Sequence, residues 1–304
     1  MTDRSVPSSA ASLAAQTTVP GTVRRPAGRA LWRFVREQPF AAAALAVIVV
    51  LVLLSVLAPL ITPFGPTEQN RSAIQQPPGG RFLMGTDDLG RDVFTRVLYG
   101  ARTSMLVSVV TVVAGGAVGV AIGIVSGYFG GRWADSLFQR IMDTLMAIPG
   151  LVLLLFIAAL LGPSIRNSII ALSLLVIPAV NRVARAEMLR IREEPYVDAA
   201  RANGCGLPRI LIRHGLPNLF APLMVIASLL FAGVLIAESA LSYLGVGTPP
   251  PTASWGRMLS EGTKFLEIAP WMVVFPGGAL TLAVLAFNLL GDGLRDFLDP
   301  KHRR

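Results

Sequence analysis

From Phe40 to Leu60 the chain runs through 21 residues that are nearly all apolar. Coiled as a helix at roughly 1.5 Å per residue, such a run reaches about 30 Å, the thickness of a bilayer's hydrocarbon core. It is longer than the apolar centre of a secretory signal and follows a long polar leader, so an uncleaved membrane anchor is expected. Further apolar runs follow at Ser104–Tyr128, Ile141–Leu161, Ala221–Leu244 and Trp271–Leu290. With 53% hydrophobic and 15% charged residues over 304 positions, a soluble domain is excluded and a multi-pass membrane protein is implied.

A sixth segment, Ser168–Val180, has only 13 apolar or small residues and contains Pro178, so by length it could be re-entrant. Charge arbitrates. If it crosses, and the N-terminus is cytoplasmic, the inner segments hold 19 of the 27 Arg and Lys residues and the outer ones 8. If it does not, the seven arginines between Arg182 and Arg213 fall outside, against the positive-inside rule. Six crossings with both termini in the cytoplasm are expected. The net charge of +9 then follows from topology, and nucleic acid is not implied as a partner.

The expected organisation is a disordered basic tail over 1–38, an anchor helix and outer loop over 39–101, a membrane core over 102–291 and a cytoplasmic tail over 292–304. Within the core, Gly115, Gly119, Gly123 and Gly127 line one helix face, which lets a second backbone approach closely, either in the same chain or across a subunit interface. Pro149 with Gly150, Pro178, and Pro276 with Gly277 and Gly278 each interrupt backbone hydrogen bonding, and irregular backbone at that depth must be buried or line a cavity.

Several chemistries are missing. A phosphate-binding loop ends in Gly-Lys-Ser/Thr, but Lys264 follows Thr263 and Lys301 follows Pro300, so the chain is not its own ATPase. His214 and His302 both lie in polar segments, away from any serine within a span, which excludes an intramembrane Ser/His pair. The Asp87–Asp92 run, DDLGRD, lacks calcium-loop spacing, and Cys205 has no second thiol or histidine cluster for a disulfide or a metal. No catalytic residue, metal or cofactor is expected, and energy must come from a partner or a gradient.

Between two apolar runs lies YVDAARANGCGLPRILIRHGLPN, Tyr196–Asn218. It reads as a short helix over Val197–Asn203 stopped by Gly204, then a second helix from Pro208 toward His214, closed near Pro217. Ala199, Ala200 and Ala202 make the first helix thin enough for a groove on another protein, and Arg201, Arg209 and Arg213 offer charge-assisted contacts. A solvated connecting loop is the plainer reading.

Asp198, Ala199, Ala200, Gly204, Leu216 and Pro217 fall in register with EAA-x3-G-x9-I-x-L-P, and the stretch resembles the EAA loop of ABC importer permeases. Asp198 stands for Glu and His214 for Ile. MGTDDLGRDVFTRVLYGARTS at Met84–Ser104, PTASWGRMLSEG at Pro251–Gly262 and FNLLGDGLRDFLDP at Phe287–Pro300 are similar to the C-type permease of dipeptide, oligopeptide and nickel importers. The resemblance implies an all-α type I importer transmembrane domain in the inner membrane, with the first span outside a five-helix core. It implies a coupling loop at 195–218 in which Asp198, Ala199, Ala200, Arg201, Gly204, Leu216 and Pro217 meet an ATPase. The implied partners are a second homologous permease subunit, two ATPases that use ATP and Mg, an extracytoplasmic solute-binding protein, and a short peptide, with nickel or another small solute as the alternative. A gradient-driven secondary transporter would need several carboxylates within its spans, and a passive scaffold would not need interrupted helices.

Glu238 lies inside a span, where an ionisable group is costly unless paired or wetted, so it is a candidate for the solute path or else a structural carboxylate. Arg91, Asp92, Arg96 and Arg102 form either a solvated interfacial helix or a contact for the solute-delivering protein. Asp143 is expected to pair with Arg140, and Trp255 and Trp271 to anchor the outer loop at the lipid interface.

Overall fold

The computed structural model describes residues 33–298. The expected tails over residues 1–32 and 299–304 lie outside the described residues. The chain is nearly all helix. α1 is Pro39–Ile61, α2 Val93–Tyr128, α3 Trp133–Ala147, α4 Gly150–Leu161, α5 Ile165–Ile191, α6 Pro195–Ala202, α7 Leu216–Tyr243, α8 Trp255–Gly262 and α9 Trp271–Leu298. Five helical spans are long and apolar enough to cross a membrane, or six if the bent pair α3 and α4 counts as one. Their outward faces carry large apolar side chains such as Val56, Leu106, Val113, Phe156, Leu160 and Phe220, a surface that only lipid or another apolar protein satisfies.

The most extensive helix contact joins α2 to α5, and the glycine stripe explains it. A Cβ at Gly119 would stand 2.7 Å from the Ile177 carbonyl oxygen, one at Gly123 2.7 Å from the Ala184 Cβ, and one at Gly127 2.7 Å from the Arg185 carbonyl oxygen. The stripe therefore packs within the chain. α1 uses the same device: Gly293 of α9 leaves no room for a Cβ beside Ala41, and α1 sits against α9 and α2 at the periphery of the bundle.

The doubtful fourth span is a helix of 27 residues that passes straight through the buried Pro178. The apolar stretch is shorter than the helix because the helix continues past Val180 through polar and charged residues to Ile191. α9 likewise runs unbroken through Pro276, so neither proline interrupts its span: one lost hydrogen bond weighs less than the packing that a break would disrupt. Pro149 does break its helix. α3 and α4 meet at 92°, so the expected span at Ile141–Leu161 is a sharply bent pair interrupted at the expected Pro149 and Gly150, with Ile148 and Pro149 extended between the two helices.

Two expected tails are partly structured. A helical stretch at 33–37 brings Phe34 edge-on to Phe297 at 5.4 Å, because the Phe297 ring at the end of α9 offers it an apolar seat. α9 itself continues to Leu298, past the expected start of the C-terminal tail.

Candidate functional site

Pro195 starts α6 at a position where its missing N–H costs nothing, and Asp198 and Arg201 occupy the first and last turns, where their charges suit the helix dipole. The helix ends in a Schellman motif. Gly204 turns left-handed at φ +75°, Cys205 N–H donates to the Ala200 carbonyl at 3.0 Å, and Gly204 N–H donates to that of Arg201 at 2.9 Å. The glycine stop is where the sequence placed it.

The second helix departs from expectation. One turn at Leu207–Arg209 passes into a π-helical segment, Ile210–Gly215, and on into α7 without closing at Pro217. In the π segment Leu216 N–H reaches back to the Leu211 carbonyl, and Pro217, having no N–H, sits in the first turn of α7. The lever is therefore continuous with a span. His214, which stands where the pattern has Ile, is tilted against Tyr196 at 6.1 Å between ring centres, and Asn218 donates to the His214 carbonyl at 2.7 Å and to the Tyr196 hydroxyl at 3.3 Å.

Asp198, Ala199, Arg201, Gly204, Leu216 and Pro217 are exposed and Ala200 is half-buried. Val197, between them, is fully buried in a cluster with Ile124 of α2, Met188 and Ile191 of α5, and Leu219 of α7, with Ile210 from the π segment. Removing a valine of this kind from water is worth roughly 1.5–3 kcal/mol. Arg201 spans both worlds: Nη1 donates to Asp198 Oδ1 at 2.8 Å and Nε to the Tyr128 hydroxyl at 3.3 Å, and that hydroxyl comes first among the causes that raise the guanidinium's pKa.

A groove runs along α5 and α7 above this loop. Two hollows, about 530 Å³ and about 190 Å³, share Leu229; the larger is flanked by Glu187 and Arg295, and the smaller is lined by Leu172, Val176, Gly233 and Ala237. A side chain at Gly233 would meet open space. Glu238 is not part of that lining. It is 1% exposed, and its Oε1 accepts from Ser242 Oγ at 2.7 Å and Thr248 Oγ1 at 3.4 Å, while Oε2 is buried without a hydrogen-bond partner among the described residues. The expected pathway carboxylate is thus buried away from the groove and held through one oxygen by two hydroxyls, the structural alternative that the sequence also allowed.

At the other end of the bundle, Arg91, Asp92 and Arg96 are buried, so they present no partner surface. Asp92 caps α2 by accepting from Thr95 N–H at 2.8 Å. Arg91 and Arg96 each donate to Glu261 Oε2 at 3.0 Å, Arg257 donates to Glu261 Oε1 at 3.0 Å, and Arg91 Nε lies 2.6 Å from Asp87 Oδ2. DDLGRD is therefore a turn and a helix cap, locked to α8 by arginines. Beside them, desolvation and then the Asp87 charge hold the Asp88 carboxyl above the usual range. The two tryptophans also depart from expectation. Trp255 is fully buried with Nε1 3.0 Å from the Val97 carbonyl, and Trp271 donates to the Thr86 carbonyl at 3.0 Å, because each indole N–H finds a backbone acceptor inside the protein.

Sequence reasoning missed one node. Asp135 at the start of α3 accepts from Arg185 of α5 through both oxygens at 2.8 and 2.7 Å, from Ser126 Oγ, and from Gly131 N–H at 3.0 Å. The partners lie up to 50 positions apart, so no spacing reveals them. Asp143 likewise pairs with Arg182 of α5 at 3.7 Å rather than with Arg140 on its own helix.

Residues 119–304 match the model of the family described as "binding-protein-dependent transport system inner membrane component", and residues 26–78 match that of the "N-terminal TM domain of oligopeptide transport permease C". A dipeptide transport system permease protein of Alkalihalophilus pseudofirmus is 41% identical over 273 residues, 90% of each chain. One of Haemophilus influenzae is 40% identical over 276 residues, covering 89% of this chain and 93% of its own.

Proposed function

Because this chain belongs to the family of binding-protein-dependent transport system inner membrane components, we propose that it is one of two permease subunits of an ATP-driven importer of short peptides. The peptide substrate enters through the relatives, which are named for dipeptide transport. Two ATPases below supply ATP hydrolysis with Mg, a solute-binding protein delivers from outside, and both termini and the Tyr196–Asn218 loop face the cytoplasm. The groove along α5 and α7 is this chain's half of the solute path, completed by a second permease.

One observation carries the coupling: α6 exposes Asp198, Ala199 and Arg201 while the same helix is bolted through Val197 to three spans. A rigid body held in that way moves with whatever grips its outer face. Closure of the ATPases displaces α6, the continuous π segment passes the displacement into α7, and the α5–α7 groove changes its access from one side of the membrane to the other. Asp198 and Arg201 hold each other in position for the partner, and Gly204 fixes the angle between the two arms.

Ala200→Arg and Gly204→Asp test this in the reconstituted transporter. Each is expected to insert into the membrane normally but to lose at least about tenfold in transport-linked ATP hydrolysis, since one crowds the half-buried Ala200 beside the docking face and the other strains a left-handed turn. Normal coupled turnover in both variants would refute the reading. Uptake that persists without the ATPase subunits would favour a gradient-driven transporter.

A further inference from the structure

A cleft of about 360 Å³ opens where α2 ends, lined among others by Tyr128, Phe129, Arg132, Arg192, Glu193 and Arg201. Three guanidiniums line it, two of them paired with the carboxylates of Glu193 and Asp198. Arg192 is held by Glu193 at 2.8 Å and by the Gly127, Tyr128 and Gly130 carbonyls at 3.2–3.4 Å, and Arg201 by Asp198 and Tyr128. Arg132 lies over the Phe129 ring at 5.3 Å and has no carboxylate within 4.0 Å among the described residues. The cleft thus carries uncompensated positive charge on planar forks that suit phosphate oxygens.

Its surroundings favour lipid as the source of that phosphate. Trp133, next to Arg132, is 80% exposed, and Leu137 and Ile141 continue its stripe at intervals of four along α3, both exposed. An exposed tryptophan heading an apolar stripe at the end of a span marks the headgroup boundary, with acyl chains along the stripe. We infer that the cleft binds the phosphate of an anionic phospholipid, captured by Arg132 and shared with Arg192 and Arg201. The bound headgroup then touches α6 through Arg201, so lipid composition biases the coupling helix. Only that last consequence rests on the proposed function; binding rests on the cleft and the stripe.

The test is native mass spectrometry of the purified transporter complex with phosphatidylglycerol, phosphatidylcholine or inorganic phosphate as probe. The wild type should retain phosphatidylglycerol over phosphatidylcholine, and millimolar inorganic phosphate should not displace it. Arg132→Gln should lower phosphatidylglycerol retention about fivefold, as one surface arginine commonly contributes. Arg132→Lys should recover part of it, and it reads the same contact if the glutamine variant does not assemble. Equal retention of the two lipids, retention independent of Arg132, or preferential binding of free phosphate would overturn the inference. So would loss of ATPase subunits from Arg132→Gln with lipid retention unchanged, which would make the cleft a protein contact. Because retention is measured without transport, failure of the transport reading leaves this result interpretable.

Discussion

Glu238 shows how differently a residue reads with and without its neighbours. In the sequence it is an acid stranded in a span; in the fold, a hydroxyl of α7 and one of the turn after it converge on it. Its work is to hold the turn after α7 against the end of that helix, and acceptor geometry is what this requires. Glu238→Gln keeps an acceptor and should retain more than about half of transport, whereas Glu238→Leu leaves buried hydroxyls unpaired and should cost about 1–3 kcal/mol, visible as lower thermal stability of the purified complex. Asp88 makes the complementary case. Its folded pKa is raised, so the folded state binds the proton more tightly than the unfolded state does, and stability falls as pH rises from the ordinary aspartate range through the folded value. Asp88→Asn should therefore raise the thermal midpoint at pH 7, with the gain fading as the pH is lowered through that window. A gain that persists undiminished in acid would contradict the assignment.

Among the elements, the α2–α5 pair is the spine, and its glycines are the reason two helices can approach so closely. Gly116, one position from the stripe, is an internal control, because a Cβ there would meet nothing within 4 Å. Gly119→Leu should force the pair apart, costing about 1–3 kcal/mol or more, while Gly116→Ala should be neutral in the same melting assay. The Asp135–Arg185 ion pair acts on the same spine from the side, fixing the start of α3, the helix that ends at the 92° bend. Rigidity here matters for mechanism: α6 can move α7 as a body only if the helices it is bolted to keep their packing.

For the whole molecule, the proposed arrangement puts the 62–92 loop and α6 on opposite sides of the membrane. In a Cys205→Ser background, Leu83→Cys should react with a membrane-impermeant maleimide on intact cells, and Ala202→Cys only after permeabilisation; both positions are exposed in the fold. Reaction of both from outside would invert the topology and remove the coupling loop from any cytoplasmic engine. The spans, the glycine stripe and the Gly204 stop were legible in the sequence because each is a local matter: bilayer thickness sets run length, close packing demands small residues four apart, and a left-handed turn favours glycine. What the tertiary structure alone decided was which prolines bend their helices, that the turn after the Gly204 stop runs on through a π segment into α7, and where the charges go. Pro149 breaks its helix while Pro178 and Pro276 do not. Arg91, Arg96, Glu261 and Asp87 look like surface charges until the outer loop, α2 and α8 bring them together, and Asp135 finds Arg185 fifty residues away. Charge pairing and burial depend on which surfaces meet in space, and a one-dimensional pattern carries run lengths and spacings but not those meetings.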